Sequence, residues 1–302
     1  KLIIEHNLHG IDIDPRAVQI ATLALWLRAQ RSWKNLGLKA EARPNIVKSN
    51  IVTAEPMPGE EDMRREFTAG IHPRVLGQIV DEIFEKMKLA GEAGSLLRIE
   101  EEIKDAVSAA REQWSERPKP EQQHLPGMVN VQPKQQELRF DVKGITDEGF
   151  WGQAEDYILE ALKDYAEQAE NGWAVRRRLF AGDAARGFAF IDLCRKRYDV
   201  VLMNPPFGES AAGAGAYIAN NWPHEKGDLG CCFVSNGLRV MAPVGRLGVL
   251  MTRTPYFLSS FTKWRERVVL DTGGLAVFVD LGLGVLDAMV ETCACVYAPG
   301  VA

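Results

Sequence analysis

Asp199-Val200-Val201-Leu202-Met203-Asn204-Pro205-Pro206-Phe207-Gly208 is an apolar run that ends in a tightly restricted corner. Each proline fixes φ near about −65° and lacks a backbone N–H, so the carbonyls around the pair stay available to a ligand. Asn204 adds a side-chain carbonyl acceptor and Phe207 a flat apolar face. Two converging acceptors beside an aromatic plate suit a planar ring that carries an exocyclic amine. The plainer reading is a Pro-Pro turn after an ordinary strand. Asn directly before Pro-Pro-aromatic at a strand end is a narrow pattern, and it favours the ligand site.

Working outward, the chain reads as strands alternating with helices. Leu8 to Ile13 alternates into a short strand, and Pro15 opens a helix at the first position, where proline is tolerated. Val18, Ala21, Leu23, Leu25 and Trp26 recur at helical spacing and predict a helix packed on a sheet. The run from Asn45 to Asn50 predicts a second strand, and Glu55 to Asp62 a Pro-Gly-acid linker. Val75 to Lys88 and Leu96 to Trp114 are amphipathic, with Leu76, Ile79, Val80, Ile83, Phe84 and Met87 on one stripe. Joined through Gly91 and Gly94, they predict a helical hairpin. Glu116 to Gln136, rich in proline and glutamine, predicts an extended loop. Gly149 to Gln168 and Val175 to Arg197 predict helices, and strands return at Tyr198–Met203, Gly245–Thr252, Leu275–Leu281 and Thr292–Tyr297. This alternation argues for an α/β sheet covered by helices on both faces, with ligands bound beyond the carboxyl ends of the strands.

With 302 residues, 46% hydrophobic and 25% charged, the chain is long enough for one large domain and an insertion. No apolar run reaches the length of a membrane span, and the start has no secretory pattern, so the expectation is a cytoplasmic protein without a membrane partner. Five cysteines without a Cys-x-x-Cys pair and five histidines without ligand spacing predict reduced buried thiols and no metal. The net charge of −5 is unevenly spread. Residues 55–170 carry 26 acids against 14 bases, and the rest carries 15 acids against 22 bases. A basic remainder suits a phosphate-bearing partner, although scattered surface lysines and arginines give the same sum. Arg176-Arg177-Arg178 and Arg195-Lys196-Arg197 are the densest clusters, and a solvated helix face is the preferred reading of both.

Asn204-Pro205-Pro206-Phe207 resembles the catalytic motif of amino-methyltransferases, above all those acting on adenine N6 in DNA. Other segments follow the same plan in order. His9-Gly10-Ile11-Asp12-Ile13-Asp14-Pro15 resembles the second strand, whose terminal acid grips the cofactor ribose. Gly227-Asp228-Leu229 and the run from Gly245 to Met251 resemble the stretch after the catalytic loop. Thr252 to Phe261 and Val290 to Cys295 resemble the last helix and strand. The set is most similar to the large methylases of BREX-type phage defence and of fused restriction-modification enzymes, over roughly residues 1–55 and 175–300.

The resemblance implies a Rossmann-like S-adenosylmethionine-dependent methyltransferase sheet of seven mostly parallel strands with a helical insertion. Residues 1–54 and 175–302 would form the core, and 55–174 the acidic insertion. It implies S-adenosyl-L-methionine as cofactor and double-stranded DNA as partner, with the adenine flipped out of the duplex. The insertion's charge points it away from DNA, as a spacer or as a docking surface for other defence-system proteins. The glycine-rich cofactor loop of such enzymes precedes the ribose-binding acid, yet only Gly10 lies in the first eleven residues. The expectation is therefore a fragment with a gap in the middle of its sheet and weak cofactor affinity by itself.

The site residues follow. Asn204, Pro205, Pro206 and Phe207 are the catalytic candidates; Asp12, Ile13 and Asn50 are the cofactor candidates. Asp12 is either a turn former or an acceptor for both ribose hydroxyls. Asn50 is expected to end its strand near the cofactor adenine, with Asp183 a weaker competitor better read as a helix cap. Phe207 is either a core aromatic or the stacking plate. Related enzymes often carry a second aromatic before the last strand. Here that stretch reads Gly284-Val285-Leu286-Asp287-Ala288, so Tyr217 or Trp222 would have to substitute unless both are solvent-facing. Two other classes stay open: a non-catalytic DNA-binding remnant, and a methyltransferase acting on RNA or on protein glutamine.

Overall fold

The computed structural model describes residues 1–72, 74–115, 146–167, 173–272, 274–285 and 289–299. The loop expected at Glu116 to Gln136 lies outside the described residues. The chain forms two compact units. One comprises Lys1–Pro56, Lys88–Arg98 and Ala189–Ala302; the other comprises Met57–Met87 and Ile99–Phe188. The second covers most of the stretch read as an insertion. It extends further, to Phe188, and it leaves residues 88–98 to the first unit.

Among the described residues the first unit holds six strands in two sheets. β1 (His9–Asp12) pairs in parallel with β2 (Asn50–Thr53), and Asp12 sits opposite Thr53. β3 (Tyr198–Met203), β4 (Met241–Thr252), β5 (Leu275–Gly282) and β6 (Thr292–Tyr297) form the other sheet in the order β3-β4-β6-β5. β3 and β4 are parallel, and β6 runs antiparallel to both of its neighbours. Among the described residues β1 and β3 are not hydrogen-bonded to each other, and the two sheets stay separate, so the sheet has the gap expected in its middle. The strand expected at Asn45–Asn50 is corrected, because pairing begins only at Asn50, where the β-branched Ile51, Val52 and Thr53 follow.

α1 (Pro15–Asn35) starts as the sequence predicts. Pro15 occupies the first turn and the Asp14 carboxylate accepts from Arg16 N–H at 2.9 Å, which caps the helix. It packs on β1 and β2, as expected, but shallowly. Only Trp33 is buried, whereas Leu23 is 55% and Trp26 46% exposed. The larger sheet is held differently. Cys231, Val234, Met251, Trp264, Cys293 and Tyr297 are buried in one cluster between the helix Leu229–Val240 and strands β4 and β6. Gly237 packs closely there: a Cβ would lie 2.6 Å from Met203 Cε and 3.0 Å from Leu247 Cδ1, so those side-chain ends would have to shift. All five cysteines are buried, and none forms a disulfide.

The second unit is helical where described. α2 (Glu61–Gly70) and α3 (Arg74–Lys86) precede the helices Lys104–Ser115 and Asp147–Glu167. α3 buries Leu76, Ile79, Val80, Ile83 and Phe84, the stripe its spacing predicts, and Met87 beyond its end is fully buried too. Phe67, Phe84, Tyr165 and Phe180 meet ring to ring at centroid distances of 5.5 to 6.2 Å. Burial pushes the Tyr165 hydroxyl up to about 12, with its bond to Glu66 adding to the shift. Arg176 pairs with Asp62 at 3.5 Å and Arg177 pairs with Glu66, so two members of this basic cluster have acidic partners inside the unit. Asp183 lies within the helix Trp173–Arg195 and pairs with Arg186 at 2.7 Å, which corrects its reading as a cap.

Candidate active site

β3 stops at Met203 because the next residues cannot continue a ladder: Pro205 and Pro206 have no N–H to give. Asn204 is exposed, and its carboxamide has no hydrogen-bond partner among the described residues. Pro205 is buried and Pro206 exposed. The corner closes at Gly208, whose φ of +84° is a left-handed conformation that a side chain would strain. Phe207 is half-buried and packs on the cluster that holds Met251 and Trp264.

Asp12 ends β1 exposed, and its Oδ1 accepts from Asp14 N–H at 2.8 Å. The turn-forming reading is therefore realised. The other carboxylate oxygen has no partner among the described residues, so both roles are compatible. Asp12, Ile13, Asn204, Pro205 and Pro206 line one cavity of about 590 Å³. The cavity lies between β1 and β3, at the break between the two sheets, with Val200 and Leu202 in its wall at 60% and 79% exposure.

Phe207 and Asn50 are not in that wall. Asn50 begins its strand opposite His9, the far end from Asp12, and is buried with its Nδ2 donating to Glu5 O at 2.8 Å. The structure therefore does not bring it to the cofactor candidates. His9 lines both ends of this region, against Tyr198 at a centroid distance of 5.4 Å. Burial lowers its pKa from the ordinary 6.5, and the nearby Lys196 adds to that.

Sequence reasoning missed residues 88–98. Glu92, Ala93, Gly94, Ser95 and Leu96 line the cavity. Gly94 turns there with φ +54°, and a Cβ would lie 3.2 Å from Ile13 Cγ2. Asn236 Nδ2 donates to Ser95 O at 2.9 Å and Trp222 Nε1 to Leu96 O at 3.3 Å. Arg98 N–H donates to the Tyr217 hydroxyl at 2.9 Å, with the Arg98 guanidinium 5.6 Å above the Trp222 ring. Trp222 is buried and Tyr217 half-buried, and both anchor this segment. Gly91 and Gly94, read as the joint of a helical hairpin, were its only signal.

The loop from Gly208 to Leu229 returns to the corner. Leu229 N–H donates to Gly208 O at 2.7 Å. Asp228 caps the helix Leu229–Val240, accepting from Gly230 N–H at 2.7 Å. Burial raises its pKa, and the bond from Gly230 opposes that. Just beyond β4, Arg253 pairs with both Asp280 of β5 and Glu291, which ties the end of β4 to β5 and to the start of β6.

The sequence model of a family described as Eco57I restriction-modification methylase matches residues 6–283. The chain belongs to this family. Among curated protein sequences, none matches significantly. Several solved structures overlap this Eco57I-family chain in part. The M protein of type I restriction enzyme EcoKI is 16% identical, with a TM-score of 0.29 over 50% of this chain and 38% of that one. A putative class I S-adenosylmethionine-dependent methyltransferase from Listeria monocytogenes is 12% identical, with a TM-score of 0.29 over 78% of each chain. A modification subunit of a putative type I restriction enzyme from Vibrio vulnificus YJ016 is 13% identical, with a TM-score of 0.29 over 74% of this chain and 57% of that one. The chain spans well under half the length of the EcoKI protein it matches. At these identities and scores the likenesses identify neither substrate nor cofactor.

Among the described residues no group of three or more His, Cys, Asp or Glu side chains could hold a metal ion. Nor is any described helix long and apolar enough to cross a membrane.

Proposed function

We propose that this chain carries the methyl-transfer site of a DNA methyltransferase that modifies the exocyclic N6 amine of adenine, in a restriction-modification or phage-defence system of the cytoplasm. One observation carries the reading: the strand-end acid Asp12 and the Asn204-Pro205-Pro206 corner, 192 positions apart in sequence, wall the same cavity. Its volume of about 590 Å³ falls within the ~300–1,000 Å³ of typical ligand pockets. Residues present there fit S-adenosylmethionine. Asp12 offers a carboxylate to the two ribose hydroxyls, and Ile13, Val200 and Leu202 offer apolar wall. When bound, the cofactor supplies an electrophilic methyl group on sulfur.

The chain's own part is to place and polarise the amine. Adenine is unreachable inside a duplex, so the base is rotated out to meet the corner. Asn204 Oδ1 and the Pro205 carbonyl accept the two amine protons, which favours a pyramidal nitrogen with its lone pair directed at the methyl. The exposed side of the Phe207 ring stacks on the base, and its buried side keeps the ring fixed. No strong base is needed before attack, because orientation and acceptor placement supply much of the barrier reduction. The acidic second unit serves as a spacer or a docking surface for partner proteins of the same system.

The test is to incubate the intact protein that carries this chain with labelled S-adenosylmethionine and adenine-containing duplex, RNA and protein. Mass spectrometry should find N6-methyladenine in DNA. Label in RNA or glutamine, or in nothing, would overturn the reading.

A further inference from the structure

Gly94, Ser95 and Leu96 stand in the cavity wall, yet the backbone there is held by side chains from much later in the chain. Asn236 Nδ2 donates to Ser95 O at 2.9 Å, Trp222 Nε1 donates to Leu96 O at 3.3 Å, and the Tyr217 hydroxyl accepts from Arg98 N–H at 2.9 Å. The other side of the segment meets the cofactor candidates. Gly94 packs on Ile13, where a Cβ would lie 3.2 Å from Cγ2, and its φ of +54° is one that a side chain would strain. The turn Gly94–Leu96 therefore touches both β1, which ends in Asp12, and the helix Leu229–Val240.

Asn236 is the least expected of the three anchors. It lies within the helix Leu229–Val240 at 5% exposure, where asparagine is a poor helix former and a buried carboxamide is costly unless both of its ends are bonded. Both ends are. Oδ1 accepts from Arg239 Nη2 at 2.7 Å and from Nε at 3.2 Å, and since a guanidinium has only donors this fixes which way the amide faces. Nδ2 is thereby turned to the Ser95 carbonyl. We propose that residues 94–96 form the wall that closes the S-adenosylmethionine half of the cavity beside Asp12 and Ile13, and that Asn236 is the positioning residue that sets this wall. The proposal rests on the functional reading above, because that reading supplies the cofactor. Asn236 acts through Ser95. The wall stands at the Ile13 end of the cavity, so displacing it costs cofactor affinity and spares methyl transfer in the saturated complex.

Two variants of the intact protein test this. Asn236→Asp is close to isosteric, keeps the oxygen that faces Arg239 and replaces the donor that faces Ser95 by an acceptor. Tyr217→Phe removes only a hydroxyl and loosens the Arg98 end of the same segment. Hydrogen exchange at the Leu97 amide, which donates to Gly94 O at 3.1 Å, reads the wall without cofactor or turnover. It should quicken about tenfold in Asn236→Asp and less in Tyr217→Phe, as expected for a lost buried hydrogen bond. By calorimetry the dissociation constant for S-adenosylmethionine should rise about tenfold in the first and about two- to fourfold in the second. At saturating cofactor and duplex, kcat should stay within about twofold of wild type. A lower thermal midpoint with unchanged cofactor affinity would make the bond merely structural and overturn the proposal, and so would a fall in kcat at unchanged affinity. Unchanged Leu97 exchange in Asn236→Asp would overturn the anchor itself. Should the aspartate variant fail to fold, Tyr217→Phe decides, since faster Leu97 exchange at wild-type affinity overturns the wall. A wild-type protein that binds no S-adenosylmethionine would sink the functional reading instead, and Leu97 exchange would still decide whether Asn236 holds the segment.

Discussion

Asn204→Ala separates chemistry from structure more sharply than any other single change. The side chain is exposed and has no hydrogen-bond partner among the described residues, so its removal leaves no buried group unsatisfied. Alanine is equally able to adopt the extended backbone required before Pro205. Stability should therefore move by less than about 0.5 kcal/mol. Under the proposed mechanism the same atom accepts one amine proton as charge develops on nitrogen. Losing one placed transition-state partner of that kind costs roughly 3–4 kcal/mol, or about 100- to 1,000-fold in rate. Single-turnover methyl transfer on an adenine-containing duplex, beside calorimetric cofactor binding and a thermal melt, reads all three quantities. The expected pattern is a rate loss of two to three orders of magnitude with cofactor affinity and melting point near wild type. Methylation within about threefold of wild type would refute the role of Asn204. A matching loss of cofactor affinity would relocate it to binding.

Other expectations follow from different parts of the molecule. Asp12→Ala should weaken S-adenosylmethionine binding by roughly 1–3 kcal/mol by calorimetry, and unchanged affinity would leave Asp12 a turn residue only. Phe180→Ala empties the centre of the ring cluster in the second unit and should cost about 3–5 kcal/mol in denaturant unfolding; a cost below about 1 kcal/mol would mean that the rings do not pack as described. His9 has a depressed pKa, so the unfolded chain takes up a proton first as pH falls below the ordinary 6.5. Its contribution to stability should be full above that value and lost progressively below it, and an NMR titration showing His9 at or above 6.5 would contradict its burial. Replacing the exposed Glu61 and Glu85 of the second unit by glutamine should leave non-specific DNA affinity the same or slightly higher, whereas a large loss at constant helicity would contradict the charge argument.

The Asn204-to-Phe207 corner and the end of β1 at Asp12 were legible in the sequence because each sits where the chain's options are few. Pro205 and Pro206 cannot extend a ladder, and Pro15 fixes where α1 begins, so strand end and helix start announce themselves within a few residues. The stripe on α3 was legible for the same reason: burial on one face imposes one period, and Leu76, Ile79, Val80, Ile83 and Phe84 obey it. What sequence could not show were contacts made by backbone over long separations. Ser95 and Leu96 reach the cavity through their carbonyls, which accept from Asn236 and Trp222 more than 120 residues later. A carbonyl has no side-chain signature, so the stretch looked like a surface turn, and Trp222 looked like a spare aromatic. Asn50 failed for a related reason. Strand register follows pairing, and with Asn50 opposite His9 rather than Asp12 its side chain points to the wrong end of the ladder, although its residue type suited the role.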